Sequence, residues 1–124
     1  ATALVYSRGS VPATTLGMIQ KGMTSVTAAS KTTYTAVAND QIVVDTAANI
    51  VTITLPATPA VGDEVTIMDG SATGGFATNN CVVARNGSNI EGAASDDNLT
   101  VNNQCVTLIY ANATKGWLYK STNQ

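Results

Sequence analysis

The chain has 124 residues, a net charge of −2 and only 11% charged residues. This length predicts a single domain, and the lack of a clustered basic region argues against a nucleic-acid partner. Because Leu, Ile, Val and Phe together number only 27, the core can be no more than modest, and we expect self-association to add buried area.

The first 31 residues differ from the rest of the chain. They contain no acidic residue, and Leu16, Ile19 and Met23 follow a nearly helical spacing that two intervening glycines weaken. We therefore predict that residues 1–31 form an extended arm. The alternative is that an N-terminal strand, Ala3 to Tyr6, is added to the edge of a sheet or is swapped with another copy of the chain. Both interpretations can hold at once.

Charge is distributed unevenly along the chain. The first 39 residues carry three bases and no acid, whereas residues 40–97 carry all eight acidic residues and only Arg85 as a base. An apolar, basic arm ahead of an acidic domain predicts an interaction outside that domain. The residues of the arm that we expect to bind a partner are Tyr6, Arg8, Val11, Leu16, Met18, Ile19, Lys21 and Met23.

Strand-forming segments begin directly after the arm. Residues 51–55 alternate between apolar and Thr side chains, which is the period of a β-strand. The short Ala-Ala-Asn connection between residues 41–46 and 50–56 predicts a hairpin. Two further strands are predicted over residues 32–38 and 61–69.

The second half of the chain continues this pattern. A long Gly/Asn/Thr loop is predicted over residues 70–80, and Asn86-Gly87 predicts a tight turn. The remaining predicted strands are 81–85, a short strand at Ile90, two strands within 98–111, and 117–121. Many short strands at even spacing predict an all-β fold, an antiparallel β-sandwich or jelly-roll-like module over residues 32–124.

Catalytic and metal-binding patterns are sparse in this sequence. There is no histidine and no Cys-x-x-Cys pair, which argues against zinc and against histidine-dependent catalysis. We predict no enzymatic activity, no cofactor and no metal. No apolar stretch approaches the ~20 residues of a membrane span, and no signal peptide is recognisable, so we expect no membrane partner. The carboxylates fit ordinary turn and surface positions, at Asp40, Asp45, Asp63, Glu64, Asp69, Glu91, Asp96 and Asp97.

The two cysteines are Cys81 and Cys105. Each follows an Asn-rich turn and begins a strand, so the two side chains could lie side by side. Without a secretion signal, we predict two reduced thiols in the core rather than a disulfide.

Trp117 has two interpretations. The favoured one places it in the core at the end of the last strand, because the chain has one Trp and one Phe with which to fill its centre. The alternative places Trp117 and Tyr110 on an exposed aromatic face that binds a receptor or a glycan.

Residues 34–119 resemble a module of structural proteins of tailed bacteriophages, found in tail-fibre, neck, head-fibre and capsid-decoration proteins. Three pieces carry the resemblance: "YTAVANDQIVVDTAANIVTITLPATPAVGDEVTIMD", "FATNNCVVARNGSNIEGAA" and "VTLIYANATKGW". Within them the order Asp-Thr, Thr-Ile-Thr-Leu-Pro, Gly-Asp-x-Val-x-Ile-x-Asp, Arg-Asn-Gly, Ile-x-Gly and Gly-Trp is similar to that of the module.

The resemblance implies a small trimeric β-sandwich or jelly roll on the virion surface, with no enzymatic role. Since the sequence carries no shaft repeats or heptads, it fits a capsid decoration (cement) protein better than a tail fibre. The expected partners are other copies of this chain in a homotrimer and the phage major capsid protein, after assembly in the host cytoplasm. The alternative is a head- or tail-fibre module that binds a host receptor or surface glycan.

Overall fold

The computed structural model describes residues 5–7, 11–14, 23–27 and 32–122. The described residues form strands and turns without a helix, so the predicted all-β class is confirmed. The strands are β1 Val5–Ser7, β2 Val11–Thr14, β3 Met23–Thr27, β4 Thr33–Thr35, β5 Gln41–Asp45, β6 Val51–Thr54, β7 Glu64–Asp69, β8 Cys81–Ala84, β9 Asp97–Leu99, β10 Cys105–Asn112 and β11 Gly116–Thr122.

Two sheets share one hydrophobic core, as in a β-sandwich. The first sheet has the strand order β11-β10-β7-β5-β3, and the second has the order β4-β6-β8-β9. Strands β1 and β2 pair with each other as a separate antiparallel ribbon. Apart from the short strand predicted at Ile90, the strands predicted from residue 32 onward therefore exist close to their predicted positions.

The pairing of the strands differs from the prediction. From β3 to β8 the chain alternates between the two sheets, so β3, β5 and β7 lie parallel in one sheet. Strands β4, β6 and β8 lie parallel in the other. The prediction of an antiparallel sandwich was wrong for these six strands, and a jelly roll is not confirmed.

The predicted hairpin between residues 41–46 and 50–56 was also wrong, because β5 and β6 lie in opposite sheets. No residue of the connection adopts the positive φ that a tight hairpin turn requires. Instead, the Asp45 carboxylate accepts a hydrogen bond from the Ala47 amide (2.8 Å), and the Thr46 amide donates to the Ser71 hydroxyl (2.9 Å). These contacts turn the chain from one sheet to the other.

The last three strands reverse the chain. Strand β9 runs antiparallel to β8, β10 runs antiparallel to β7, and β10 and β11 form a hairpin. At the tip of that hairpin the Asn112 carboxamide oxygen accepts the amides of Thr114 (3.0 Å) and Lys115 (2.7 Å). These hydrogen bonds hold the turn that joins β10 to β11.

The core is built from the inward face of every strand of the sandwich whose side chains are described. Burial alternates along β5 to β8 as the period-two pattern requires, with the outward residues only partly covered. Trp117 and Phe76 are the largest fully buried side chains. The other buried apolar residues are Ala36, Ile42, Val44, Val51, Ile53, Leu55, Val65, Ile67, Cys81, Val83, Ile90, Leu99, Val106 and Leu108.

The predicted arm contributes to the fold at one strand. β3 pairs in parallel with β5, from Met23 opposite Gln41 to Thr27 opposite Asp45. The alternative strand at Ala3 to Tyr6 corresponds in part to β1, which pairs with β2. Most of the segment lies outside the described residues, so the boundary after residue 31 stays a prediction.

The backbone at Gly116 lies very close to the backbone of Asn89. Its φ is +70°, and an added Cβ would collide with the backbone of Asn89. Gly62 also has a positive φ, of +95°, but a Cβ there would meet nothing within 4 Å. Gly62→Ala therefore isolates the cost of the left-handed conformation, about 1–2 kcal/mol.

We expect Gly116→Ala to lower the free energy of unfolding by at least about 2 kcal/mol more than Gly62→Ala, because it adds a backbone collision to the same strain. Urea denaturation followed by circular dichroism measures both variants. Equal losses would show that the contact between Gly116 and Asn89 is not tight.

Candidate functional site

One end of the sandwich is formed by the edge strands β9 and β11 and by the loop of residues 85–96 between β8 and β9. We call this the β9–β11 end. The loop starts with the predicted tight turn, in which Asn86 and Gly87 have φ values of 51° and 94°. The Asn86 side chain donates to the Leu55 carbonyl (2.9 Å), which attaches the turn to the segment after β6.

The middle of this loop lies along β11. The Trp117 amide donates to the Asn89 carbonyl (2.8 Å), and the Glu91 amide donates to the Trp117 carbonyl (2.7 Å). The predicted short strand at Ile90 is reduced to isolated bridges with Trp117 and Ala93. The Ile-x-Gly and Gly-Trp pieces, distant in sequence, therefore lie together, and Arg-Asn-Gly precedes Ile-x-Gly in the same loop.

Glu91 also covers the exposed edge of β11. Its carboxylate accepts the backbone amide of Tyr119 at 2.9 Å. An edge strand with free amides is a template for unwanted pairing, and a charged side chain at such an edge prevents it. This end of the sandwich is thereby protected from adding a further strand at Tyr119.

Tyr119 links the two sheets at this end. Its hydroxyl donates to the Asp97 carboxylate of β9, while Tyr119 itself belongs to β11 in the other sheet. Burial raises the pKa of Tyr119 well above its ordinary value, and the neighbouring Asp97 carboxylate raises it further. The phenol therefore stays protonated and remains a donor.

Two cavities flank Asp97. One, of about 150 Å³, lies between β9, the turn that follows it and Tyr119. The other, of about 210 Å³, lies between β9 and the preceding loop and is lined by Ile90, Glu91, Ala93, Ser95, Asp96 and Asp97. The β9–β11 end thus combines concave space with polar side chains.

The Asp69 carboxylate, at the end of β7, binds backbone amides of two loops, residues 70–80 and the turn between β9 and β10. Its carboxylate accepts the amides of Ser71 (3.0 Å), Phe76 (3.1 Å) and Asn103 (3.0 Å). Burial raises the pKa of Asp69, but the hydrogen bonds from Ser71, Asn103 and Phe76 outweigh it and hold the pKa below its ordinary value. The predicted loop of residues 70–80 is therefore present and fastened through the end of β7.

The predicted aromatic face is not formed. Trp117 is fully buried, with Tyr110 packed edge-on against it at 5.7 Å between ring centroids. Trp117 therefore occupies the core, as the favoured interpretation predicted, and offers no ring face to a glycan. The alternative that exposes Trp117 beside Tyr110 does not fit this burial, because the single Trp is needed inside; Tyr110 is partly buried, and receptor or glycan binding stays a prediction.

The arm residues predicted to bind a partner are described only in part. Tyr6, Val11 and Met23 belong to β1, β2 and β3, of which the backbone alone is described. The other five lie outside the described residues, at Arg8, Leu16, Met18, Ile19 and Lys21.

The two cysteines are both free, but they do not lie side by side. Cys81 faces the core from β8, and burial raises the pKa of its thiol to about 12. Cys105 begins β10 on the outward face of the other sheet and is half-buried. The prediction of two core thiols was therefore right for Cys81 and wrong for Cys105.

Sequence reasoning missed Gln104, which is 5% exposed and lines the smaller cavity. Its position between two Asn residues and a Cys resembles an ordinary turn, so no local pattern marks it. Among the described residues, no group of three or more Cys, Asp and Glu side chains is placed to hold a metal ion. Nor does the described part of the chain contain a helix with the length and apolar character needed to cross a membrane.

No family model matches the sequence, and no curated protein matches it.

We expect Asp69→Asn to lower the free energy of unfolding by about 1–2 kcal/mol at neutral pH, because an amide has one acceptor oxygen for three backbone donors. The folded pKa of Asp69 lies below its ordinary value, 3.8. Its contribution is therefore present above the unfolded pKa and is lost as the pH falls through the folded pKa.

The stability difference between the native protein and Asp69→Asn should accordingly shrink below about pH 4, as measured by urea denaturation at several pH values. The control is Asp63→Asn, since within the described residues the Asp63 side chain accepts only the Ala60 amide (2.9 Å) and should matter less. A constant difference down to pH 2 would contradict the role of the Asp69 charge.

Thiol reactivity should separate the two cysteines. In the Cys105→Ser variant, the remaining Cys81 should resist a maleimide reagent in the native protein at pH 7.5, because its thiol is buried and protonated. After denaturation one thiol should react, as counted by mass spectrometry. Rapid labelling of native Cys105→Ser would contradict the burial of Cys81, and Cys81→Ser is the matched control in which native labelling is expected.

Proposed function

We propose that this chain is a non-enzymatic structural protein of a tailed-phage virion. In this role it is a homotrimeric capsid decoration protein whose N-terminal segment clamps neighbouring copies of the major capsid protein. The observation that carries the proposal is the ordered set of motifs between residues 34 and 119. The contacts of Asn89, Glu91 and Trp117 support it, because they join the Ile-x-Gly and Gly-Trp motifs, which are distant in sequence.

The distribution of charge also supports the proposal. Between residues 32 and 120 the chain carries eight acidic residues against Arg85, Lys115 and Lys120. Residues 1–31 carry three bases and no acid. A basic, apolar segment joined to an acidic domain can be attracted to an acidic surface without requiring the domain to bind that surface itself.

Trimerisation would explain how a weak segment clamps a capsid. Three segments on one particle act together, so the second and third binding events are intramolecular and strengthen overall attachment. A trimer would also add buried area to a domain whose core contains one Trp and one Phe. In this role the protein would stabilise the capsid by bridging adjacent subunits rather than by any single tight contact.

Deleting residues 1–22 tests the proposal while keeping β3 to β11. We expect the shortened protein to remain a folded trimer, measured by multi-angle light scattering, but to lose cosedimentation with undecorated capsids of the encoding phage. A double variant, Leu16→Ser with Ile19→Ser, should weaken cosedimentation without shortening the chain.

The matched control is Val37→Ser, which removes an apolar side chain that is 59% exposed on the domain and should leave capsid binding unchanged. Full occupancy of capsids by the shortened protein would overturn the role of the segment. A monomer in light scattering at micromolar concentration would overturn the trimer.

A further inference from the structure

We propose that Asn86 is a self-modification site, at which the side-chain amide is lost as ammonia and water replaces it with a carboxylate. Asparagine undergoes this reaction most readily before glycine, because glycine has no side chain to hinder attack by its own backbone nitrogen. Of the eleven Asn residues in the chain, only Asn86 precedes a glycine. The pair belongs to the Arg-Asn-Gly motif, which the proposed function leaves without a role.

The turn exposes the two groups that react. Asn86 and Gly87 are both exposed, and their φ values of 51° and 94° are those of a type I′ turn. The Ser88 amide closes the turn by donating to the Arg85 carbonyl at 3.3 Å. Within the described residues no hydrogen bond uses the Gly87 amide, and a Cβ added at Gly87 would meet nothing within 4 Å. The attacking nitrogen is therefore neither occupied nor crowded.

One contact holds the Asn86 side chain back from reaction. Its Nδ2 donates to the Leu55 carbonyl at 2.9 Å. Ring closure requires the Asn86 Cγ to swing onto the Gly87 nitrogen, and both this hydrogen bond and the closed turn oppose that movement. The reaction therefore proceeds from a locally opened turn, and its rate in the native protein is set by how often the turn opens.

The reaction needs only the chain and water. The Gly87 nitrogen bonds to the Asn86 Cγ and gives up its proton, the bond from Cγ to Nδ2 breaks, and the nitrogen leaves as ammonia with that proton. Water then opens the resulting succinimide ring at either of its two carbonyl carbons. Opening at one carbon gives aspartate at residue 86, and opening at the other gives isoaspartate.

The product loosens the start of the loop of residues 85–96. A carboxylate does not donate, so the Leu55 carbonyl loses the hydrogen bond from residue 86 and faces an acceptor instead. Isoaspartate also lengthens the backbone of the turn by one carbon. The middle of the loop stays attached, because Asn89 still donates to the Thr114 carbonyl (2.9 Å). This inference does not rest on the proposed role at the capsid.

Ageing of the full chain tests the site. The native protein is incubated at pH 8 and 37 °C for four weeks, and peptide mapping by mass spectrometry follows the conversion of every Asn residue. We expect Asn86 to convert roughly tenfold faster than any other Asn, because it alone precedes glycine. In denaturing urea its conversion should be roughly tenfold faster again, because the turn is then open.

Gly87→Ala keeps Asn86 and adds a methyl group beside the attacking nitrogen. It should slow the conversion of Asn86 roughly tenfold, and the comparison in urea excludes any effect of strain in the folded turn. Gly62→Ala is the matched control, because Gly62 has nearly the same φ, +95°, and the same open space around it. Asn86 should convert at its native rate in that variant.

The consequence for the turn is measured on Asn86→Asp, which reproduces one product. Amide hydrogen exchange of residues 85–88 should be roughly tenfold faster than in the native protein. Asn39→Asp adds the same charge at another position with positive φ, 72°, and should leave that exchange unchanged.

Faster conversion of another Asn residue in the native protein, or no conversion of Asn86 in four weeks, would overturn the proposed site. An unchanged rate for Gly87→Ala in urea would also overturn it, because attack by the Gly87 nitrogen would then not be the reaction. Equal exchange in Asn86→Asp and the native protein would overturn the role given to the contact with Leu55.

Discussion

The structure depends on one constraint, that each strand has a single apolar face and that consecutive strands must bury those faces against each other. From β3 to β8 the chain satisfies it by crossing to the opposite sheet after every strand. Ile42 and Val44 from one sheet and Val51 and Ile53 from the other then enter the same core. Because this core is small, the hydrogen bonds that hold the connections between the two sheets also contribute to stability.

Polar side chains hold these connections through hydrogen bonds to the backbone. Asn79 donates to the carbonyl of Thr46 at 2.9 Å, and the Asp69 carboxylate holds the amides of Phe76 and Asn103. Each contact joins residues at least seven positions apart, and two of them span more than thirty. A carboxylate or carboxamide that accepts or donates in such a place replaces part of the stabilisation that a larger core would supply.

The sequence predicted the strands well because period-two alternation is a local property. It did not predict which strands pair, since a hairpin and a crossing between sheets produce the same alternation in both strands. The burial of Trp117 followed from the scarcity of large side chains, whereas the outward position of Cys105 did not, because one residue at a strand end has no visible period. The cavity beside Gln104 is formed by residues of β9, β10 and β11 together, so no single segment of the sequence predicts it.

The crossings have a consequence for how the molecule opens. Strands β3 to β8 form three successive pairs, β3 with β4, β5 with β6 and β7 with β8, each with one strand in either sheet. Strands β3 and β4 lie at the edges of their sheets and each pairs with one described neighbour, whereas β7 and β8 are paired on both sides. In a linear array of this kind stability is set by nearest-neighbour interfaces. Amide hydrogen exchange should therefore be graded across the sandwich, fastest in β3 and β4 and slowest near β7 and β8. The first residues to exchange then include β3, which belongs to residues 1–31 and pairs with β5.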